Sequence, residues 1–331
     1  MASTHISPSP VTQGSRYVYL FGYPISHSVS PAFHGLIFSH LSLPWRYTPL
    51  PSCDVSDLSR VMQQEEFIGA AVTMPNKMAV LKLVHRLTED ARVIGAVNTI
   101  YVRETETPAG ERTRCFIGTN TDWIGVTKAL LRKNALLGSE LQQRPAVVIG
   151  GGATCRSAIY ALTKGLGARL VYIVNRSAEE VNDVITGLRN RGMWQDLIHL
   201  ETVEQLQQLP NIPPVILGTV PDFPPKSTLE HQARDVIKAL FNRFNHSREQ
   251  QSENTGIFLE MCYDPSPRTE LVRLAEKAGW VIVNGIDVMS FQAIEQDVLW
   301  CERPIEELSL NAAASVIHGI IMARQNNSIS K

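Results

Sequence analysis

The sequence predicts an α/β protein built of two domains. Its 331 residues are enough to form two hydrophobic cores. Predicted strands and helices alternate along both halves of the chain, which is typical of largely parallel sheets. A glycine-rich turn, Gly150-Gly151-Gly152, follows a buried strand near the middle of the chain and opens a helix. This turn indicates where the second domain begins.

Apolar runs bounded by turn residues give the elements of the first half. We predict strands at residues 17–21, 45–49, 70–73, 96–102 and 115–119. Helices are predicted from Ser30, at 55–62 and at 78–87, and a polar hairpin tip at 104–114. Ser30-Pro31 is typical of a helix start, with the serine as N-cap and the proline in the first turn. The first half therefore reads as one α/β sheet.

The second half repeats this alternation. A helix over 122–136 joins the two units, and strands follow at 146–149, 170–174, 214–217, 257–261 and 281–283. Helices are predicted at 154–164 and 178–188, and the polar segment 242–256 as a surface loop. Two helices, over 288–300 and 309–324, end the chain. The first 16 residues are polar and rich in Ser and Pro, which predicts a flexible tail.

Composition limits the partners. The net charge is −1, and no basic block suggests binding to nucleic acid or to an acidic membrane. No run of 18 apolar residues predicts a membrane span. The five cysteines are scattered without a Cys-x-x-Cys pair, so neither a disulfide framework nor a zinc site is indicated. We expect a cytoplasmic protein without a metal.

The glycine turn predicts a dinucleotide site of the Rossmann type. Glycines let the backbone approach a pyrophosphate, and the N-terminus of the following helix stabilises its charge. The third glycine position of the pattern is occupied by Cys155. Asn175 and Arg176 end the next strand, where an arginine favours the 2′-phosphate of NADP. Glu179 and Glu180 follow and oppose that phosphate, so both NAD and NADP remain open.

Two further motifs suggest oxidation of a hydroxyl. Lys77 closes the segment Val72-Thr73-Met74-Pro75-Asn76-Lys77, and Asp122 closes Gly118-Thr119-Asn120-Thr121-Asp122. A lysine and an aspartate at strand ends can hold and deprotonate an alcohol. Each has an ordinary explanation, because a lone lysine is usually solvated and Asp122 could simply cap a helix. Their occurrence together in one chain favours the catalytic interpretation.

The chain resembles the shikimate/quinate dehydrogenase family from about residue 17 to residue 324. The segment Gly22-Tyr23-Pro24-Ile25-Ser26-His27-Ser28-Val29-Ser30-Pro31, the two motifs above and Gly95-Ala96-Val97-Asn98-Thr99 carry the resemblance. It implies that Lys77 and Asp122 are catalytic. It implies substrate contacts from Ser28, Ser30, Thr73, Asn98, Tyr263 and Gln292. It implies cofactor contacts from Gly150, Gly151, Gly152, Ala153, Thr154, Asn175, Arg176, Thr219 and Gly285.

The resemblance also implies a domain plan and an activity. After the tail at 1–16, residues 17–122 would form an α/β substrate-binding domain and 123–287 a Rossmann-type NAD(P)-binding domain. Residues 288–325 would form C-terminal helices that pack back on the substrate domain. The implied activity is oxidation of quinate or shikimate, most like the free-standing fungal enzymes, with a narrow preference for NAD. Alternatives are an inactive quinate- or shikimate-sensing regulator and a dehydrogenase of another substrate, such as a folate. The oligomeric state, monomer or homodimer, stays open.

Overall fold

The protein forms two six-stranded sheets, each with its own hydrophobic core. The structure, a computed structural model, describes residues 14–26, 28–106, 112–142, 144–210, 212–248, 256–264, 266–304, 306 and 319–320. Within these ranges no helix is both long and apolar enough to cross a membrane.

The first sheet is mixed rather than largely parallel. Its strands are β1 (Arg16–Gly22), β2 (Trp45–Pro51), β3 (Phe67–Val72), β4 (Arg86–Leu87), β5 (Thr99–Glu106) and β6 (Arg112–Thr119), in the order β2-β1-β3-β5-β6-β4. Strand β1 runs parallel to β2 and β3, whereas β5 is antiparallel to both β3 and β6. Strands β5 and β6 pair as the predicted hairpin, because consecutive strands with a short connection run in opposite directions. Its tip lies outside the described residues.

The helices of the first sheet correct two predictions. They are α1 (Ser30–His40), α2 (Val55–Met62) and α3 (Glu89–Ile94). The N-cap of α1 is Val29, one residue before the predicted serine. The helix predicted at 78–87 is wrong. Only a 3-10 turn, Ala79–Lys82, forms there, and Arg86 and Leu87 pair with β6 instead. Pairing with a sheet edge has overridden the helical spacing of the apolar residues.

The second sheet has the Rossmann arrangement, which confirms the predicted fold class. Its strands are β7 (Pro145–Ile149), β8 (Leu170–Val174), β9 (Asp196–His199), β10 (Val215–Gly218), β11 (Ile257–Glu260) and β12 (Val281–Asn284). All neighbouring pairs are parallel, in the order β12-β11-β10-β7-β8-β9. In such a sheet a ligand binds at the carboxyl ends of the strands where the order reverses, here between β7 and β10.

Helices cover both faces of the second sheet. They are α5 (Leu137–Leu141), α6 (Ala153–Tyr160), α7 (Ala178–Asn190), α8 (Val203–Gln207), α9 (Thr228–Arg248) and α10 (Glu270–Lys277), and a π-turn, Ala161–Gly165, extends α6. The loop predicted at 242–256 is wrong for its first seven residues, 242–248, which belong to helix α9. The buried side chains of Val236, Ile237, Leu240 and Phe241 recur at helical spacing and hold α9 against the sheet.

Two helices connect the halves. Helix α4 (Asp122–Lys133) follows the first sheet and α11 (Gly285–Cys301) follows the second. They cross closely at Gly125, where an added Cβ would lie 2.5 Å from the carbonyl oxygen of Val288. Helix α11 continues onto the first sheet, where the Trp300 indole donates a hydrogen bond to the Ile100 carbonyl and fills the space over Gly69. The helix predicted at 309–324 lies outside the described residues, except at 319–320.

Candidate active site

Lys77 and Asp122 form an ion pair where the two sheets face each other. Lys77 ends the turn after β3, and Asp122 is the first residue of α4. The lysine Nζ lies 2.5 Å from Asp122 Oδ2, and the two side chains are 13% and 2% exposed. The N-cap position of α4 is the residue before, Thr121, whose side chain makes no capping hydrogen bond. The Asp122 carboxylate therefore serves the pair and does not cap its helix.

Asn98 holds the aspartate in place. Its side-chain amide donates to Asp122 Oδ1 and to the Thr121 hydroxyl, both at 2.9 Å. Its carbonyl oxygen accepts the Thr121 backbone N–H at 2.7 Å and the Thr99 hydroxyl at 2.8 Å. Both ends of the amide are thus bound by the protein. In this arrangement the residue predicted to contact substrate also orients the carboxylate of the pair.

Two of the residues predicted to contact substrate, Ser28 and Ser30, lie at the start of α1. Ser28 and Ser30 are half-buried, and the Ser28 hydroxyl accepts the backbone N–H of Ser30 at 3.2 Å. Tyr263 packs among the apolar residues between α1 and α11, and Gln292 lies half-buried on α11 where it crosses α4. His27, in the same segment as the two serines, lies outside the described residues.

A cleft of about 700 Å³ separates the ion pair from the glycine turn. The first sheet contributes Thr73, Met74, Pro75, Lys77 and Met78. The Rossmann sheet contributes Gly151, Gly152, Ala153, Thr154, Asn175, Arg176, Thr219 and residues of the segment 220–237. Sequence motifs far apart in the chain are thus brought to the two walls of one cleft.

The glycine turn lets a ligand approach the protein backbone closely. Gly150 has a φ of +140°, and a Cβ there would lie 2.2 Å from the Thr219 hydroxyl oxygen. Gly152 is the N-cap of α6 and has open space where a side chain would stand. The first N–H groups of α6 therefore face the cleft without a side-chain cap, which suits a pyrophosphate. Gly285 lies outside this turn. A Cβ there would lie 2.2 Å from the Met261 carbonyl oxygen, so a larger residue does not fit.

Comparison with known proteins identifies the family. A family model described as the shikimate dehydrogenase substrate binding domain matches residues 20–100. Quinate dehydrogenase from Emericella nidulans is 34% identical over 306 residues, which cover 89% of this chain and 90% of that protein. The chain belongs to the shikimate/quinate dehydrogenase family. Its members named here are dehydrogenases, so the chain is an oxidoreductase by descent.

Solved structures agree with this family and fold. Shikimate 5-dehydrogenase from Mycobacterium fortuitum matches with a TM-score of 0.66 and 25% identity, covering 94% of this chain and 99% of that one. The dehydroquinate dehydratase and shikimate dehydrogenase of S. pombe matches with a TM-score of 0.69 and 28% identity. The match covers 92% of this chain but only 53% of the S. pombe chain, so this dehydrogenase spans about half the length of that protein.

Sequence reasoning missed a buried His–Asp pair in this dehydrogenase. His34 Nδ1 on α1 lies 2.8 Å from Asp297 Oδ1 on α11, and both side chains are fully buried. The His34 ring stacks on Tyr47, with ring centroids 4.4 Å apart. Burial raises the pKa of the Asp297 carboxyl, and the histidine opposes that rise. No sequence motif links the two residues, which are 263 positions apart.

Glu260 is a further buried carboxyl, at the end of β11 beside Gly218 of β10. It is 1% exposed and accepts hydrogen bonds from the Thr269 hydroxyl at 2.9 Å and the Cys262 N–H at 3.1 Å. Burial outweighs these bonds and raises the pKa of Glu260 from 4.5 to about 7. At neutral pH this group is therefore close to its titration midpoint.

We expect this dehydrogenase to lose stability as Glu260 ionises. Because the folded-state pKa is raised, the contribution is fully present below pH 4.5 and is lost as the pH rises through about 7. Between pH 5 and pH 8 the wild type should lose about 2–3 kcal/mol of unfolding free energy relative to Glu260→Gln. Urea unfolding at both pH values measures this, with Glu179→Gln as an exposed control. Parallel pH profiles for wild type and Glu260→Gln would contradict the assignment.

Proposed function

We propose that this chain oxidises the ring carbinol of quinate, shikimate or both to the 3-dehydro acid, with NAD(P) as hydride acceptor. The observation that carries the proposal is the buried Lys77–Asp122 pair, which faces the glycine turn across one cleft. Similarity to the Emericella quinate dehydrogenase supports this substrate class. In this proposal residues 17–122 bind the substrate and 123–287 the dinucleotide.

Lys77 and Asp122 would handle the proton of the reacting hydroxyl. An ammonium group has three N–H donors, and the Asp122 carboxylate takes one of them in this structure. The remaining donors can hold the substrate oxygen next to the carboxylate. Asn98 prevents the carboxylate from turning away. As the carbon–hydrogen bond breaks, Lys77 would take up the hydroxyl proton while it passes one of its own protons to the Asp122 carboxylate, so that the pair gains one proton in total.

The substrate carboxylate would lie at the start of α1. Ser28 and Ser30 offer hydroxyl groups there, and Tyr263 packs against the same region. Thr73 on the cleft wall and Gln292 on α11 complete the predicted set. Hydrogen bonds to a charged carboxylate contribute about 1.5–3 kcal/mol each, so these residues would fix the ring with its carbinol towards Lys77.

The residues around the glycine turn fit a nicotinamide dinucleotide. Gly150, Gly151, Gly152, Ala153 and Thr154 would hold the pyrophosphate at the start of α6. Asn175, Arg176, Thr219 and Gly285 complete the predicted set. When bound, the nicotinamide supplies the hydride acceptor. We favour NAD over NADP, because the Glu180 carboxylate lies beside Gly151 and accepts the Asn175 amide at 2.8 Å, near where a ribose would bind.

Steady-state assays test this proposal. Nicotinamide reduction is measured with quinate and with shikimate, each with NAD and with NADP, and with lactate as a hydroxy acid without a ring. We expect turnover of at least one ring acid, with a higher kcat/KM for NAD. Binding of the ring acids without turnover would favour the sensing regulator, and no interaction with them would favour another substrate. A preference for NADP above about tenfold, near 1.4 kcal/mol, would contradict the choice of NAD.

A further inference from the structure

Arg176, the cation expected to read the ribose of the cofactor, is already paired. It lies two residues beyond β8, at the carboxyl edge of the Rossmann sheet. Its guanidinium donates a short hydrogen bond to Oε1 of Glu230 on α9, 54 positions away in sequence. Both residues line the cleft. The sequence pattern around Arg176 gives no sign of this partner.

Glu230 is itself held rigidly. Its second carboxylate oxygen accepts the backbone N–H groups of Lys226 at 2.7 Å and Ser227 at 2.8 Å, just before α9. These bonds, with Arg176 adding to them, lower the pKa of Glu230 to about 2. The carboxylate is therefore ionised at every pH at which the protein is expected to work, and it gives Arg176 a permanent partner.

The other charges around this part of the cleft leave little attraction for a phosphate. Glu180 also lines the cleft and accepts a hydrogen bond from the Asn175 side-chain amide. Among the described residues that line the cleft, the cations are Lys77, Arg176 and Arg234. Each contacts a carboxylate: Asp122, Glu230 and Glu270 respectively. A ribose 2′-phosphate, with a charge near −2 at neutral pH, would meet an Arg176 guanidinium that Glu230 already neutralises, and the carboxylates of Glu180 and Glu230 would repel it.

We propose that Glu230 is a specificity-determining residue, which occupies the Arg176 guanidinium and so selects a dinucleotide with a free ribose 2′-hydroxyl. The inference rests on the proposed function, since it presumes that the cleft binds such a cofactor. Here the arginine that would favour NADP is converted into part of a neutral ion pair. A hydroxyl can bind beside this pair without breaking it, whereas a phosphate competes with Glu230 for the same guanidinium.

The first test is Glu230→Gln in the full chain. The amide oxygen can still accept the N–H groups of Lys226 and Ser227, but the side chain no longer neutralises Arg176. Calorimetric Kd values for NAD and NADP are measured without substrate. We expect NADP to bind at least tenfold more tightly than to wild type, with the Kd of NAD changed less than threefold. Glu204→Gln removes the same charge from an exposed position on α8, outside the cleft lining, and should leave the ratio unchanged.

The second test is Arg176→Gln, alone and with Glu230→Gln. Arg176→Gln alone leaves the Glu230 carboxylate unpaired in the cleft, so it should not strengthen NADP binding. In the double variant, which removes both charges, the gain produced by Glu230→Gln should disappear and the Kd of NADP should lie within threefold of wild type. A tenfold loss of NADP affinity in the double variant would show that the arginine already holds the phosphate. An unchanged NAD to NADP ratio in Glu230→Gln would equally overturn the inference while leaving the dehydrogenase function intact. Failure of wild type to bind either dinucleotide would instead contradict the proposed function.

Discussion

Replacing Lys77 by alanine or Asp122 by asparagine is expected to lower kcat by roughly 10²-fold or more, the usual effect of losing an acid–base group. The two atoms that would share the substrate proton lie 2.5 Å apart in a nearly closed site. Each of the two residues depends on the other for proton transfer. The double variant should therefore cost little beyond the worse single variant. Steady-state kinetics with the better of quinate and shikimate measures all three.

A second lysine–carboxylate pair provides the matched control. Lys128 on α4 and Glu295 on α11 form an ion pair away from the cleft lining, and Lys128→Ala should keep kcat within about threefold. Circular dichroism should establish that each variant is folded, because Lys77→Ala leaves the buried Asp122 without its counter-ion. If either single variant at the catalytic pair is folded and keeps near-normal kcat, that residue does not take part in proton transfer.

His34→Leu is expected to lower the free energy of unfolding by about 1–3 kcal/mol, the usual cost of leaving a buried polar group without its hydrogen-bond partner. The Asp297 carboxyl would remain fully buried without the partner that lies 2.8 Å from it. Replacing both residues, His34→Leu with Asp297→Leu, removes the unpaired group and should recover much of the loss. Urea unfolding at pH 7 of wild type, both single variants and the double variant gives the coupling free energy.

The unfolding free energy of the double variant shows whether His34 and Asp297 act as a pair. If the losses of the two single variants simply add in the double variant, the pair contributes no coupling and each residue acts only by its packing. Asp57 and Arg60 offer a reference, since they form an exposed pair one turn apart on α2. Breaking such a surface pair should cost less than about 1 kcal/mol.

The sequence predicts well those elements that depend on residues close together in the chain. Strand β7, the glycine turn and α6 follow from a short stretch of residues, and the Rossmann unit follows from that alternation. Lys77 and Asp122 could be named as a pair only because two motifs resemble one family. Their distance of 2.5 Å depends on how β3 and β6 lie in the sheet, which no local pattern encodes.

The features that the sequence does not predict depend on contacts between residues that are far apart in the chain. The helix predicted at 78–87 failed because residues 86–87 form the edge strand β4 and pair with residues of β6 that come 31 positions later. Glu230 was missed because it meets Arg176 only when α9 packs beside β8. His34 and Asp297 meet across nearly the whole chain. Side chains that act through such contacts resemble ordinary surface or helix residues in the sequence, because their partners are chosen by the fold.

The passage of α11 across the first sheet has a consequence for biosynthesis. The strands of that sheet are complete once Thr119 has been translated, but the Trp300 indole that fills the space over Gly69 comes from the far end of α11. At about 5–20 residues per second, a ribosome needs on the order of 10–30 s to cover that interval. During this time the nascent first sheet must keep an apolar surface unfilled. The half of the protein that is made first is therefore the half that is finished last.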